Sequence, residues 1–202
     1  LLLGWAAEGE QEIFSLDEMI KIWDPARISK SPAIFDPLKL RAINAAYIRA
    51  LPAEEFRKLA DPFIDQAVHV QIDRDLLCAN LQPRCEVLED IPPQLDFFDA
   101  VLPIDAEMYR NKKQKTTPES AKEALSALLP VLEAQTDWSR DAIFEACKQK
   151  AEAMEKKNGW LLFPLGIALS GKARTPGGGT DLAAMMGKEE TLRRLNAAIE
   201  AL

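Results

Sequence analysis

The chain has 202 residues, of which 25 are basic and 32 acidic, so its formal net charge is −7. Its 48% hydrophobic content excludes a disordered chain and fits one globular domain or two small ones, and no apolar run reaches the ~18 residues that a membrane span needs. The acidic balance argues mildly against nucleic acid, because Lys and Arg bind phosphates, although a single basic face remains compatible with it.

Helix-start signals recur along the first half of the sequence. Four predicted helices begin at the N-cap or first-turn residues Ser15 (with Glu18 as its capping-box partner), Asp36, Pro52 and Asp73. Pro83 ends the fourth of these helices. In the third helix, the apolar residues at helical spacing are expected to face inward; they are Phe56, Leu59, Ala60 and Phe63.

Four more helices and one buried apolar segment are predicted in the second half. The helices begin near Thr117-Pro118, Trp138-Ser139, Leu182 and Leu192, and the buried segment runs from Leu161 to Leu169 and ends at Gly171. The helix that begins at Trp138-Ser139 is expected to end in the Lys156-Lys157-Asn158-Gly159 string, because cations and glycine favour helix C-termini. Alternating strand patterns are nearly absent, so the predicted fold class is all-α.

No catalytic or metal-binding pattern is present. The cysteines Cys78, Cys85 and Cys147 and the single His69 lack metal-ligand spacing, and their odd, sparse set predicts buried, reduced thiols in a cytoplasmic protein. The acidic groups Asp90 with Asp96, and Glu8, Glu10 and Glu12, are not forced into a cleft by their spacing, so surface positions are expected.

The glycine-rich segment 175–180 is the most unusual in the chain. Its backbone N–H groups could face an anion or a base, or the segment could be a flexible loop, and the composition does not decide between these. It lacks the Gly-Lys-Ser/Thr ending of a P-loop, which argues against nucleotide triphosphates. Lys172 and Arg174 make its surroundings positive. We expect these two cations to share a concave face with Arg84.

Arg84 follows Pro83 at a helix-to-helix turn. A guanidinium held there could make a bidentate contact with a base edge, although an arginine that caps helix carbonyls is the more usual case.

Several motifs occur in the same order as in one known family. They are Leu2-Leu3-Gly4-Trp5, the residues 27–36, Gln82-Pro83-Arg84, Phe163-Pro164-Leu165, Thr175-Pro176-Gly177 and the residues 187–192. Together they resemble the bacterial-type glutamyl-tRNA synthetases over essentially the whole chain. The resemblance is to the C-terminal part, because the family's HIGH and KMSKS motifs are not present here.

The resemblance implies a two-part helical anticodon-binding cage without a substantial sheet. Residues 1–51 would be the end of the stem-contact region, 52–112 the first helical subdomain, and 113–202 the second, with the polar stretch 110–115 as linker. This part would supply anticodon recognition and no catalysis. The parent would be a monomeric cytoplasmic ligase that joins glutamate to tRNA-Glu with ATP and Mg²⁺. No cofactor, membrane or DNA partner is expected for this chain.

The resemblance also implies roles for particular residues. Arg84 matches the arginine that reads the third anticodon base and is associated with accepting tRNA-Glu and rejecting tRNA-Gln. The remaining candidates are the loop residues Thr175, Pro176 and Gly178, the cations Lys172 and Arg174, which would hold phosphates, and Asn44 and Arg49 on the helix near the inner tRNA surface.

Two departures from the family keep other interpretations open. Gly166 stands where the family often has an arginine that contacts an anticodon base, and Gly178-Gly179 replace a Leu-Phe pair. We therefore expect altered reading of the first two anticodon bases. The alternatives are a non-discriminating ligase that also charges tRNA-Gln, the helical cage of a class I lysyl enzyme, and a helical scaffold that binds only proteins.

Overall fold

The computed structural model describes residues 4–9, 11–31 and 34–202; parts of two sequence motifs, at Leu2-Leu3 and Pro32-Ala33, and the acidic residue Glu10 lie outside these ranges. Within the described residues, the regular structure consists of nine α-helices and five short 3₁₀ turns, with no named strand. The all-α prediction is confirmed.

The helices are α1 (Leu16–Ile22), α2 (Pro37–Ala50), α3 (Ala53–Ile64), α4 (Arg74–Leu81), α5 (Pro118–Ala134), α6 (Arg140–Ala153), α7 (Asn158–Ser170), α8 (Gly179–Met186) and α9 (Lys188–Ala201). Of these helices, not one combines the length and apolar character needed to cross a membrane.

The helix starts follow the capping signals in the sequence. Ser15 and Glu18 form the predicted capping box of α1. The side chains of Asp36, Asp73 and Thr117 accept backbone N–H groups at the starts of α2, α4 and α5. Each cap satisfies a donor that has no partner within its helix, which is why these short polar residues fix the boundaries.

Two local predictions are wrong. Helix α6 ends at Ala153 rather than in the 156–159 string, because the chain reverses at Glu155, whose φ is +55°. Gly159 consequently lies inside α7 instead of ending α6. In α3, Leu59 is 48% exposed and does not face inward. Phe56 and Ala60 are fully buried as expected.

One hydrophobic core joins the two halves of the chain. It includes Phe56 and Leu77 from the first half, and Leu125, Leu165 and Leu195 from the second. Helix α5 packs against α6, α7 and α9, and most residues of α7 are buried, which explains the continuous apolar run at 161–169. This core places the end of α7 beside the segment that precedes α5.

The predicted linker at 110–115 is a closed turn. Asn111 and Thr116 exchange backbone hydrogen bonds of 3.1 Å, and the Thr116 hydroxyl donates to the carbonyl of Tyr109 at 2.7 Å. Tyr109 itself is buried in the shared core. The division into units at 51 and 112 stays a prediction.

Exposed large apolar side chains are concentrated before residue 60. Among the described residues they include Leu16, Ile20, Trp23, Ile34, Phe35, Leu38, Leu40, Tyr47 and Leu59.

Candidate nucleic-acid interface

A pocket with a volume of about 640 Å³ opens between the 3₁₀ turn at 82–84 and the C-terminal helices. One side is formed by Arg84 and Gln94. The other is formed by α7 and the loop that leads into α8; the residues are Leu162, Phe163, Gly166, Ile167, Lys172, Ala173, Arg174, Thr175, Gly177, Gly178 and Gly179. The structure thus brings Arg84, Lys172 and Arg174 to one concave surface, although Arg84 is far from the other two in sequence.

Arg84 presents an exposed guanidinium at the edge of this pocket. The turn that carries it is anchored by Gln82, whose Nε2 donates to the carbonyls of Ile48 at 3.0 Å and Leu51 at 2.8 Å. The Nη1 of Arg84 donates to the Thr175 carbonyl at 3.4 Å. No carboxylate of the described residues pairs with Arg84, so most of its five N–H donors remain available for a ligand.

Lys172 is already engaged across the pocket. Its Nζ donates to the carbonyl of Pro93 at 2.8 Å and forms an ion pair with Asp96. This side chain therefore holds the 93–96 segment against the loop. Arg174 is exposed, and no ion pair involves it within the described parts of the chain. The positive charge offered to a ligand comes mainly from Arg84 and Arg174.

The loop at 175–179 is held by its own hydrogen bonds. The Thr175 hydroxyl donates to the Gly177 carbonyl at 2.6 Å, and the Gly178 N–H donates to Asp181 Oδ2 at 2.7 Å. Pro176 is buried and does not line the pocket. The Gly178 N–H is thus already used, so the loop offers the pocket fewer free donors than its glycine content suggested.

Two glycines bring α7 and α8 close together at the back of the pocket. A Cβ atom on Gly179 would lie 2.8 Å from the Leu162 carbonyl oxygen and 2.9 Å from the Gly166 nitrogen, so only glycine fits there. A Cβ atom on Gly166 would lie 3.7 Å from the Gly179 nitrogen, which is an ordinary contact. Glycine is therefore required at 179, whereas at 166 its effect is to leave the pocket wall open.

Asn44 and Arg49 lie outside this pocket. Asn44 donates through Nδ2 to the Glu86 carbonyl at 2.5 Å, and it lines a separate depression of about 560 Å³ between α2 and the 87–89 turn. Arg49 is exposed on α2. Tyr47, on the same helix, donates its hydroxyl to the Phe14 carbonyl at 2.6 Å. Any contact of Asn44 or Arg49 with RNA would be distinct from the pocket.

Sequence reasoning missed two pocket residues with useful chemistry. Phe163 is half-buried on α7 and offers an aromatic surface on which a base can stack. Gln94 lines the opposite side; its Nε2 donates to the Asp90 carbonyl at 2.6 Å, and its amide oxygen can accept from a ligand. The Phe163-Pro164-Leu165 motif and the break at Pro92-Pro93 were the available signals, but neither indicates which side chain faces a pocket.

The groups considered for acid–base or nucleophilic chemistry are occupied or inert. Asp90 and Asp96 pair with Arg41 and Lys172, and the exposed His69 lies 2.5 Å, Nδ1 to Oδ2, from Asp99. Burial raises the pKa of the Cys78 and Cys85 thiols to about 11 and that of Cys147 to about 12. Over the described ranges, no group of three His, Cys, Asp or Glu side chains is arranged to hold a metal ion.

Exposed arginines and an aromatic side chain around one pocket of a helical fold are features typical of proteins that bind single-stranded nucleic acid. The family model of the anticodon binding domain matches residues 44–199, and the chain belongs to that family.

Curated relatives agree with this assignment. Glutamate–tRNA ligases of Clostridium botulinum strain Hall and Clostridium tetani are 43% and 41% identical to the chain, each over 201 residues. Both alignments cover 100% of this chain and 41% of the relative, so the chain spans about two fifths of their length.

Solved structures show the same fold. A glutamate tRNA ligase from Elizabethkingia meningosepticum, in complex with its amino acid, matches 100% of the chain with a TM-score of 0.85 and 28% identity. The glutamate-tRNA synthetase of Elizabethkingia anophelis matches 98% of the chain with a TM-score of 0.78 and 27% identity. The chain covers 39% of each of these structures.

Proposed function

We propose that the pocket between Arg84 and the 172–179 loop binds the anticodon of tRNA-Glu. The observation that carries the proposal is the placement of Arg84, Arg174 and Phe163 around one pocket in a chain of the anticodon-binding domain family. Single-stranded RNA is read by stacking of unpaired bases on aromatic side chains and by hydrogen bonds to base edges. These three side chains supply both kinds of contact.

Arg84 would read the third anticodon base. Its guanidinium can form two parallel hydrogen bonds to acceptors on one base edge, and the anchored turn at 82–84 limits the positions it can adopt. Phe163 would stack a neighbouring base, and Arg174 would neutralise a phosphate. Lys172 would act on RNA only by releasing Asp96, so its first role would be to support the loop.

The longer protein would be a glutamate–tRNA ligase. Its relatives carry that name, and this chain accounts for about two fifths of their length. ATP and Mg²⁺ would bind in the other part of the protein, since the HIGH and KMSKS motifs of the glutamyl-tRNA synthetases are not present in this sequence. The chain would contribute only tRNA selection, and the ligase would act as a cytoplasmic monomer.

The alternatives differ in how far they agree with these observations. A scaffold that binds only proteins is not favoured, because the family match and the basic pocket both indicate RNA. The second alternative, a ligase that also charges tRNA-Gln, differs from the proposed ligase only in its selectivity. Arg84 and Gly166 together would decide whether tRNA-Gln is rejected. The lysyl enzyme is not among the relatives described above.

A binding titration at several salt concentrations tests the proposal. The full-length protein is titrated with tRNA-Glu, tRNA-Gln and an unrelated tRNA, and the logarithm of the binding constant is plotted against that of the salt concentration. Each phosphate contact contributes a slope of about −0.7 for single strands. We expect tighter binding of tRNA-Glu and a shallower slope for Arg174→Gln. Equal affinity for all three tRNAs in wild type would contradict anticodon recognition.

A further inference from the structure

Arg194 is a charged side chain that is fully buried on α9. Its Nη1 donates to the carbonyls of Leu169 at 2.6 Å and Phe97 at 2.7 Å, and its Nη2 donates to the carbonyl of Phe98 at 2.7 Å. Its Nε donates to Glu190 Oε1 at 2.5 Å. Four of its five N–H donor positions are therefore engaged, and its side chain has 0% exposure. With no exposed surface, this guanidinium cannot touch RNA.

The three carbonyls belong to the two segments that lead into the pocket. Leu169 lies in the last turn of α7, three residues before Lys172. Phe97 and Phe98 directly follow Asp96, the ion-pair partner of Lys172, and come soon after Gln94 in the pocket wall. Arg194 thus ties the 93–98 segment to the end of α7 from behind, while Lys172 ties the same two segments at the surface.

A guanidinium suits this junction because of its shape. Its planar fork donates in several fixed directions at once, whereas an ammonium is a compact donor on a flexible stem. The Leu169 carbonyl is also one of the last carbonyls of α7, which have no partner within the helix and carry partial negative charge. Removing the guanidinium would leave three buried carbonyls without this donor, and such groups are costly to leave unpaired.

We infer that Arg194 is a positioning residue for anticodon discrimination: by holding the 97–98 segment to the end of α7, it fixes the distance between the Gln94 side of the pocket and the 172–179 loop. The inference rests on the proposed function of this pocket. Arg194 would therefore influence which anticodon base is accepted, although it does not contact the RNA. A purely structural role would change stability and leave discrimination unaltered.

The test compares Arg194→Lys with Arg193→Gln in the full-length protein. Arg193 is the neighbouring arginine, shares Glu190 as an ion-pair partner and has a 61% exposed side chain. Binding of tRNA-Glu and of tRNA-Glu with a substituted third anticodon base is measured at a temperature where circular dichroism shows each variant folded. For Arg194→Lys we expect discrimination to fall by about 2- to 30-fold, the range typical of residues that act on a site without touching the ligand.

The other readouts separate positioning from contact. The salt slope of Arg194→Lys should equal that of wild type, because no phosphate contact is lost. Arg193→Gln should keep wild-type discrimination. Unchanged discrimination in folded Arg194→Lys would overturn the inference, whereas a wild-type protein that does not distinguish the two tRNAs would instead overturn the proposed function.

If Arg194→Lys does not fold, the milder variant Glu190→Gln tests the same inference. Glu190→Gln removes the carboxylate that receives Nε and leaves the three carbonyl contacts possible. We expect it to reduce discrimination by a smaller factor than Arg194→Lys would, with about 2-fold as the minimum. Full wild-type discrimination in Glu190→Gln, when Arg194→Lys is unfolded, would also overturn the inference.

Discussion

Arg84 reaches the carbonyl of Thr175 across the pocket, with 3.4 Å between Nη1 and the oxygen. At this length the hydrogen bond is weak, since N–H donors usually lie 2.7–3.2 Å from their acceptors. The guanidinium is therefore oriented toward the loop without being committed to it. A base edge that enters the pocket can replace this contact at little cost.

Replacing Arg84 with glutamine should weaken discrimination at the third anticodon base. Glutamine lacks the two parallel N–H donors of a guanidinium, and a good bidentate pair is worth about 1–3 kcal/mol of discrimination. The measurement is the ratio of charging of tRNA-Glu and tRNA-Gln by the full-length enzyme. If Arg84→Gln leaves this ratio at its wild-type value, Arg84 does not read the base.

Arg49→Gln provides a matched comparison for Arg84→Gln. Arg49 is exposed on α2 and does not line the pocket, and we expect it to contact a phosphate. We expect uniformly weaker binding of all tRNAs and a salt slope reduced by about 1, without a change in discrimination. A change in the tRNA-Glu to tRNA-Gln ratio would place Arg49 at a base instead.

Alanine at the two glycines of the pocket wall should have opposite effects. Gly166 lies inside α7 and has room for a Cβ atom, so Gly166→Ala should raise the free energy of unfolding by about 0.5–1 kcal/mol through helix propensity. Gly179→Ala places a Cβ atom within 3 Å of backbone atoms and should lower the free energy of unfolding by about 1–3 kcal/mol. Urea unfolding followed by circular dichroism measures both, and equal effects would show that α7 and α8 are not in close contact.

The fold could be predicted where local signals determine it. Asp36 and Asp73 are favoured N-cap residues that stand directly before apolar helical runs, and Gly171, with a φ of +65°, ends α7 as its position suggested. The end of α6 could not be predicted, because the reversal at Glu155 puts a non-glycine residue in the left-handed region. The prediction that Leu59 faces inward was wrong for another reason. Periodicity identifies the apolar face of a helix, but it does not show how much of that face is covered by neighbouring elements.

The basic residues of the site could be predicted from the sequence, but the groups that they contact could not. The basic residues Arg84, Lys172 and Arg174 were identifiable by type and by resemblance. That Lys172 is held by Asp96 and Pro93 depends on a contact between segments almost 80 residues apart, which no local pattern encodes. The positions of Phe163 and Gln94 in the pocket could not be predicted either, because they depend on how α7 packs against the first half of the chain.

The three thiols should be unreactive in the folded chain. Cys78, Cys85 and Cys147 are buried, and burial raises their pKa values to about 11, 11 and 12. Because the thiolate is the reactive form, reaction with a disulfide reagent at pH 8 should be slow in the native protein and rapid in urea. Fast modification of a native thiol would show that the segment around that residue opens readily.

Glu190 should make the stability of the chain depend on pH in the acidic range. Its hydrogen bonds with Arg193 and then Arg194 hold the pKa of the carboxyl at about 2, below its ordinary value of 4.5. A lowered pKa means that the unfolded chain binds this proton more readily, so the contribution of Glu190 is fully present above pH 4.5 and is lost as the pH falls toward 2. We expect the difference in free energy of unfolding between wild type and Glu190→Gln to shrink over this interval. Glu189→Gln is the control for removing a carboxylate from the same helical turn, because Glu189 is exposed and forms no ion pair among the described residues. A pH-independent difference for Glu190→Gln would show that the carboxylate does not stabilise the buried guanidinium of Arg194.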